Sequence, residues 1–169
     1  MIVTEEEIQI IQNFTFPKYN EIPDVGLFLE QVTKYVNDYL APLKGVNITS
    51  SMISNYVKKK LISNPVKKQY SREQIAYIFF IAVAKSVLSL EEIEMIINLK
   101  NKEYDCDYLY GYFCDEFINV LHYVFGLKKE YVETRIEMNE DRYLFKNAII
   151  TAAHKIYLDT IFACKTSVG

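Results

Sequence analysis

The stretch ITSSMISNYVKKKLI, residues 48–62, reads as a short helix whose two faces have opposite chemistry. Thr49 or Ser50 offers an N-cap oxygen. Met52, Ile53, Tyr56 and Val57 fall at i, i+1, i+4 and i+5, which is one apolar stripe for a core. The other face is Ser51, Ser54, Asn55, Lys58 and Lys59, small and hydrophilic and ending in lysines, a surface suited to close approach to a groove. Downstream, Leu61 and Ile62 precede a turn signal at Ser63, Asn64 and Pro65, and VKKQY, residues 66–70, reads as an extended basic piece, a small wing. Ser71 and Gln74 have the spacing of a capping box and open an apolar helix to about Val87. Ser89 and Glu92 repeat the device for a helix through Ile93, Ile96 and Ile97 to Leu99.

Charge sets this region apart. Lys44, Lys58, Lys59, Lys60, Lys67, Lys68 and Arg72 lie between Tyr39 and Arg72 with no carboxylate among them. The rest of the chain carries 12 Lys and Arg against 22 Asp and Glu, a balance of −10. A basic patch inside an acidic chain points to a polyanion such as a phosphate backbone, and its plain alternative is a solvated face.

Working outward, residues 5–13 suit a short helix, and Phe14 to Pro23, with Pro17 and Pro23, an ordered non-helical lead-in pinned by Phe14, Phe16, Tyr19 and Ile22. With Asp24 as N-cap, Leu27, Phe28, Val32, Tyr35, Val36 and Tyr39 predict an amphipathic helix to Leu40, ended by Pro42 and Gly45. The polar run from Lys100 to Glu103 reads as a domain boundary. Beyond it, Tyr104, Tyr108, Tyr110, Tyr112, Phe113, Phe117, Tyr123 and Phe125 sit in one predicted helix ending near Gly126. A short helix over 130–137 and a last one over 140–165, with Leu144, Phe145, Ala148, Ile149, Ala152, Ile156 and Ile161 inward, complete the expectation. The fold class is therefore all-α in two modules, residues 1–102 and 103–169. Five Gly and four Pro in 169 residues also fit helices better than a many-turned β-fold.

No basic n-region opens the chain, and the longest apolar run, Ile75 to Ala84, stops at Lys85, too short for a bilayer. Three cysteines without CxxC spacing fit a reducing compartment, so a soluble cytoplasmic protein is expected. Cys106, Cys114 and His122 are spaced by eight residues each, ~12 Å on a helix, too far apart to ligate one zinc together. GxSxG, P-loop and HExxH motifs are absent, so neither an enzyme nor a cofactor is expected.

From residue 48 through the wing and the two capped helices to SLEEI at 89–93, the chain resembles the MerR-type winged helix-turn-helix over roughly residues 24–101. With Phe16-Pro17 and the segment EIPDVGL at 21–27, it also resembles a bacterial group, the domain-of-unknown-function family numbered 1836, regarded as MerR-like. The resemblance implies a DNA-binding transcription regulator. Lys68 falls where that family places a wing Arg, Tyr56 matches a Tyr of its recognition helix, and Lys60 sits where a helix-ending Gly is common. Ser51 and Ser54 stand where arginines usually read bases; a serine lacks the bidentate fork that selects guanine. The family's long dimerising helix is replaced by the aromatic-rich helices.

The expected partner is double-stranded DNA, contacted through Ser51, Ser54, Asn55, Tyr56, Lys58, Lys59, Lys67, Lys68 and Arg72 by a homodimer, with no membrane partner. Tyr104, Tyr108, Tyr112, Phe113 and Phe117 are the candidates for a dimer interface or a small-molecule effector pocket, against plain core packing. The alternatives are a protein-interaction adaptor on the same scaffold, without base readout, and a small-molecule sensor.

Overall fold

Helix α4 (Arg72–Ala84) is the element around which the others are laid. From Gln74 to Ala84 every residue except Tyr77 is buried, and a helix that is apolar all round must be enclosed. Enclosing it are α2 (Leu29–Leu40), α6 (Cys106–Val124) and α7 (Glu140–Thr166). Helices α1 (Glu5–Asn13), α3 (Ser50–Lys58) and α5 (Leu90–Asn98) complete the seven α-helices among the described residues. The computed structural model describes residues 3–99, 104–134 and 139–167. The protein is all-α apart from one small antiparallel pair, β1 (Leu27–Phe28) with β2 (Gln69–Tyr70), in which Leu27 faces Tyr70 and Phe28 faces Gln69.

Local sequence accounts for most helix starts. Thr4, Thr49, Ser71, Ser89, Asp105 and Asn139 each accept a backbone N–H of their helix's first turn. Both capping boxes form, with the Ser71 N–H donating to Gln74 Oε1 at 2.8 Å and the Ser89 N–H to Glu92 Oε2 at 2.7 Å. Helix α6 ends at left-handed Gly126, whose N–H donates to the Tyr123 carbonyl while that of Leu127 donates to His122. Those two bonds make a Schellman motif.

Three expectations need correction. Asp24 is not the N-cap of α2, because Gly26 turns the chain at φ +82° and Leu27 and Phe28 pair with β2 before the helix starts at Leu29. Residues 130–134 are not helical, and 135–137 lie outside the described residues. Leu144 is half exposed rather than inward. The boundary at 100–103 also lies outside the described residues, and the segments on its two sides share one core.

That shared core is aromatic. The Phe16 ring in the lead-in lies 5.1 Å from Phe113, 5.6 Å from Phe117 and 6.1 Å from Phe79, and Phe80 lies 5.4 Å from both Phe113 and Phe145. Edge-to-face and tilted pairs of this kind add to the gain from buried area. The Tyr110 hydroxyl, buried in the same cluster, donates to the Pro17 carbonyl at 2.9 Å and so fastens the lead-in to α6.

Burial pushes Tyr19 and Tyr35 up to about 12 and raises Tyr56, Tyr70 and Tyr110 as well. Above the ordinary tyrosine value of 10.0 the unfolded chain loses these protons first, so stability held below pH ~10 falls as pH rises toward the folded-state values. Urea melts at pH 8 to 11, read by circular dichroism and by tyrosinate absorbance, should show midpoints dropping above pH ~10, with much of the tyrosinate signal appearing only on unfolding. A flat midpoint would mean that the phenols are solvated.

Candidate functional site: a basic helix and hairpin, and an aromatic groove

Helix α3 is fixed to α2 by a polar joint. Asn37 donates through Nδ2 to the Ile48 carbonyl at 2.8 Å and accepts the Ile48 N–H at 2.9 Å, and the Thr33 and Ser50 hydroxyls are 2.9 Å apart. Ile53 and Tyr56 point into the core, leaving Ser51, Ser54 and Lys58 exposed at i, i+3 and i+7, with Asn55 half-buried beside them. The half-buried Lys85 ammonium lies 3.6 Å from the Met52 sulfur beneath this helix, and burial lowers its pKa.

The exit from α3 is a second Schellman motif. The Leu61 N–H donates to the Tyr56 carbonyl and that of Lys60 to Val57, with Lys60 left-handed at φ +62°. Gln74 then holds the following loop from inside: its Nε2 donates to the Ser63 carbonyl at 2.8 Å and lies 3.0 Å from the Ser63 hydroxyl. Beyond that loop Val66 and Gln69 exchange both backbone hydrogen bonds, at 3.1 and 2.9 Å, around Lys67 and Lys68. These two residues have φ +50° and +63°. Two consecutive left-handed residues make the type I′ hairpin turn, which ordinarily takes Asn-Gly. Gly26 seats the hairpin base: a Cβ there would come within 3.0 Å of the Gln69 Cβ, and its φ is positive as well.

The predicted contact residues divide. Ser51, Ser54, Lys58, Lys59, Lys67 and Lys68 are exposed. Lys59 reaches Glu91 at 3.7 Å, and no carboxylate among the described residues pairs with Lys58, Lys60, Lys67 or Lys68. Tyr56 is 2% exposed and belongs to the core, since it lies on the same stripe as Ile53. Arg72 is occupied. Its Nε donates to the Ile22 carbonyl at 2.8 Å, one terminal nitrogen donates to Asn20 at 3.2 Å, and the guanidinium lies over the Tyr19 ring at 5.7 Å and 3.8 Å from Asp24. It clamps the lead-in.

The aromatic candidates divide too. Phe113, Phe117 and Tyr112 are buried, so core packing accounts for them. Tyr104 and Tyr108 stack on one another, with ring centroids 4.2 Å apart, and Tyr104 borders a groove of about 690 Å³ between α4, the ends of α5 and α7, and the start of α6. Phe80 and Phe113 line its apolar interior, and Tyr19, Tyr77 and Tyr104 are its half-buried tyrosines. Glu73, Asp105, Asp107 and Asp141 are exposed along it. The Arg142 guanidinium lies 4.4 Å from the Tyr104 ring centre. Burial first, and then the Glu73 carboxylate, push the Cys106 thiol up to about 12, so at neutral pH it is a thiol and not a thiolate. Sequence reading missed Glu73, Tyr77 and Arg142. The i, i+4 spacing of Glu73 and Tyr77 was the available signal, hidden in a helix otherwise read as apolar.

These features define an all-α protein with an exposed basic helix and hairpin on one part of its surface and an acidic, aromatic groove on another. The chain belongs to the family described as domain of unknown function DUF1836, which it matches over residues 17–113, from the lead-in to the middle of α6. No curated protein and no solved structure matches it. No helix among the described residues is long and apolar enough to cross a membrane.

Because a left-handed conformation costs a non-glycine residue ~1–2 kcal/mol, replacing Lys67 and Lys68 by Asn and Gly should stabilise the protein. The K67N/K68G variant should gain about 1–2 kcal/mol in urea denaturation. Unchanged or lower stability would show that the lysines are not held left-handed in solution.

Proposed function

We propose that this protein is a cytoplasmic DNA-binding transcription regulator built on a MerR-like winged helix-turn-helix. In this reading α3 enters a groove of duplex DNA and the Lys67–Lys68 hairpin lies along the phosphates. The observation that carries it is the identity of the left-handed residues. All three non-glycine residues with positive φ among the described residues are lysines, Lys60, Lys67 and Lys68. Each stands where Gly or Asn would be less strained. A solvated surface has no use for a cation in such a position, whereas a site for a polyanion does. The order α2, α3, hairpin, α4, α5 supports the same reading, as does the small exposed face of Ser51 and Ser54. No catalytic step is part of it.

Exposed Ser51 and Ser54, with half-buried Asn55, supply donors and acceptors to base edges, and Lys58, Lys59, Lys67 and Lys68 supply phosphate contacts. Fluorescence anisotropy with a labelled mixed-sequence duplex at ~50 and ~200 mM salt should give tight binding that weakens steeply, log K falling by ~0.9 per phosphate neutralised for each unit of log salt. Replacing the four lysines by Ala should reduce that slope by about 3 to 4 while the protein stays folded. K67N/K68G should bind more weakly although it is the more stable protein. Absence of binding by the wild type at low salt would leave the adaptor reading, which the serines in place of base-reading arginines favour.

A second copy of the chain fits α7. Leu144, Thr151, Leu158 and Phe162 are exposed at i, i+7, i+14 and i+18, one face of a 27-residue helix. In an antiparallel pair about a two-fold axis near residue 153, Leu144 would oppose Phe162 of the partner copy, and the exposed Glu140 and Asp141 would approach Lys165. Sedimentation should give a dimer for the wild type and a folded monomer for L158D/F162D; a dimer for both would move the interface elsewhere.

A further inference from the structure

We infer that the groove beside α4 is a binding site for a planar aromatic cation. Its volume of about 690 Å³ lies in the range of small-molecule sites. Three observations give the class of ligand. The first is charge: among the described residues the groove carries the carboxylates of Glu73, Asp105, Asp107 and Asp141 and the guanidinium of Arg142, a formal excess of three negatives. The second is the walls. Half-buried Ile96, Ile97, Leu99 and Phe145, with the edge of Phe80, offer apolar surface inside, and half-buried tyrosines offer ring faces that attract a cation through the ring quadrupole.

The third is the protein's own use of these rings. Tyr104 carries the Arg142 guanidinium at 4.4 Å, and Tyr19 carries that of Arg72 at 5.7 Å. Planar cations are thus already seated on two of the three half-buried tyrosines. No Lys or Arg among the described residues lies over the third, Tyr77, which stands one helical turn from Glu73 with Ala76 and Phe80 beside it in the wall. A flat cation against Tyr77, its charge toward Glu73 and Asp107 and its hydrocarbon edge on Phe80, meets complementary chemistry on each side. A planar anion would face three surplus negatives, and a neutral ring system would gain burial alone. The inference does not depend on DNA binding, because none of these residues belongs to the basic helix or hairpin.

The test is a fluorescence titration of the purified, nucleic-acid-free chain with ethidium, with neutral phenanthridine competing and the anion 1-anilinonaphthalene-8-sulfonate titrated separately. One ethidium should bind per chain, at least about tenfold more tightly than phenanthridine, and more weakly as salt is raised. The anion should not bind in the groove. The exposed carboxylates allow a mild variant. E73Q/D107N/D141N keeps shape and, with a melting temperature close to wild type, should lose about tenfold in ethidium affinity while phenanthridine is unaffected. Y77L should weaken ethidium binding as well. Equal binding of phenanthridine and ethidium, insensitivity of ethidium to both salt and the carboxylate changes, or no binding of either compound overturns the assignment. The salt series on wild type decides the matter even if a variant fails to fold.

Discussion

Helix α4 is buried from Gln74 to Ala84 at every position but Tyr77, and the remainder of the structure follows from that constraint. Phe79, Ile75, Ile78, Ile81 and Ala82 are essentially inaccessible, and Phe80 and Val83 nearly so. A single layer of helices cannot cover so wide an apolar surface. The region before residue 100 covers one side through α2 and the lead-in, and α6 and α7 cover the other. The aromatic density of α6 is the complement of this demand: Phe113 packs on Phe80 and Phe16, and Tyr110 approaches Phe79 at 6.2 Å. Removing Phe79 would leave a cavity in the middle of this contact, the kind of truncation that costs ~3–5 kcal/mol.

The hairpin illustrates a different constraint, a conflict between backbone and charge. A two-residue hairpin turn and a Schellman helix end both require positive φ, and glycine satisfies either at least cost. Here the two motifs are built with three lysines, Lys60 at the helix end and Lys67 and Lys68 in the turn. Neighbouring hydrogen bonds hold the geometry: Gln74 on the Ser63 carbonyl, the reciprocal pair of Val66 and Gln69, and the close seat of Gln69 on Gly26. Strain kept in place by surrounding contacts is a common mark of a functional site.

How much was legible from sequence depended on whether a feature was local. The capping boxes at Ser71 and Ser89, the helix end at Gly126 and the two faces of α3 were readable because each is decided within a few residues. Lys60 was readable as an awkward helix end only through the resemblance, which puts a helix-ending Gly at that position. Lys67 and Lys68 were readable as basic but not as a left-handed turn, since Lys-Lys carries no turn signal. Arg72 looked like a phosphate ligand because its partners, the carbonyls of Asn20 and Ile22, are about fifty residues away. Leu144 was misplaced because helical periodicity over α7 gives an apolar residue to more than one face. The groove was the least legible, being assembled from four helices and the lead-in.

The first turn of α4 is where these surfaces meet. Arg72 holds the lead-in, Glu73 lines the groove, and Gln74 fixes the loop that leads to the basic hairpin, so three consecutive residues serve three different parts of the molecule. Successive positions on a helix point ~100° apart, which is how one turn reaches them all. Proximity of this kind is not coupling, because coupling needs an element with two arrangements that both sites bias differently. The candidate for such an element is the loop at Ser63 and Asn64. Gln74 ties it down through one side chain, whereas α4 itself is locked by its enclosure. A ligand pressing on Tyr77 would bear on that first turn and, through it, on the Gln74 contacts. Gln74, buried at the junction, is the shortest physical link between groove and basic face.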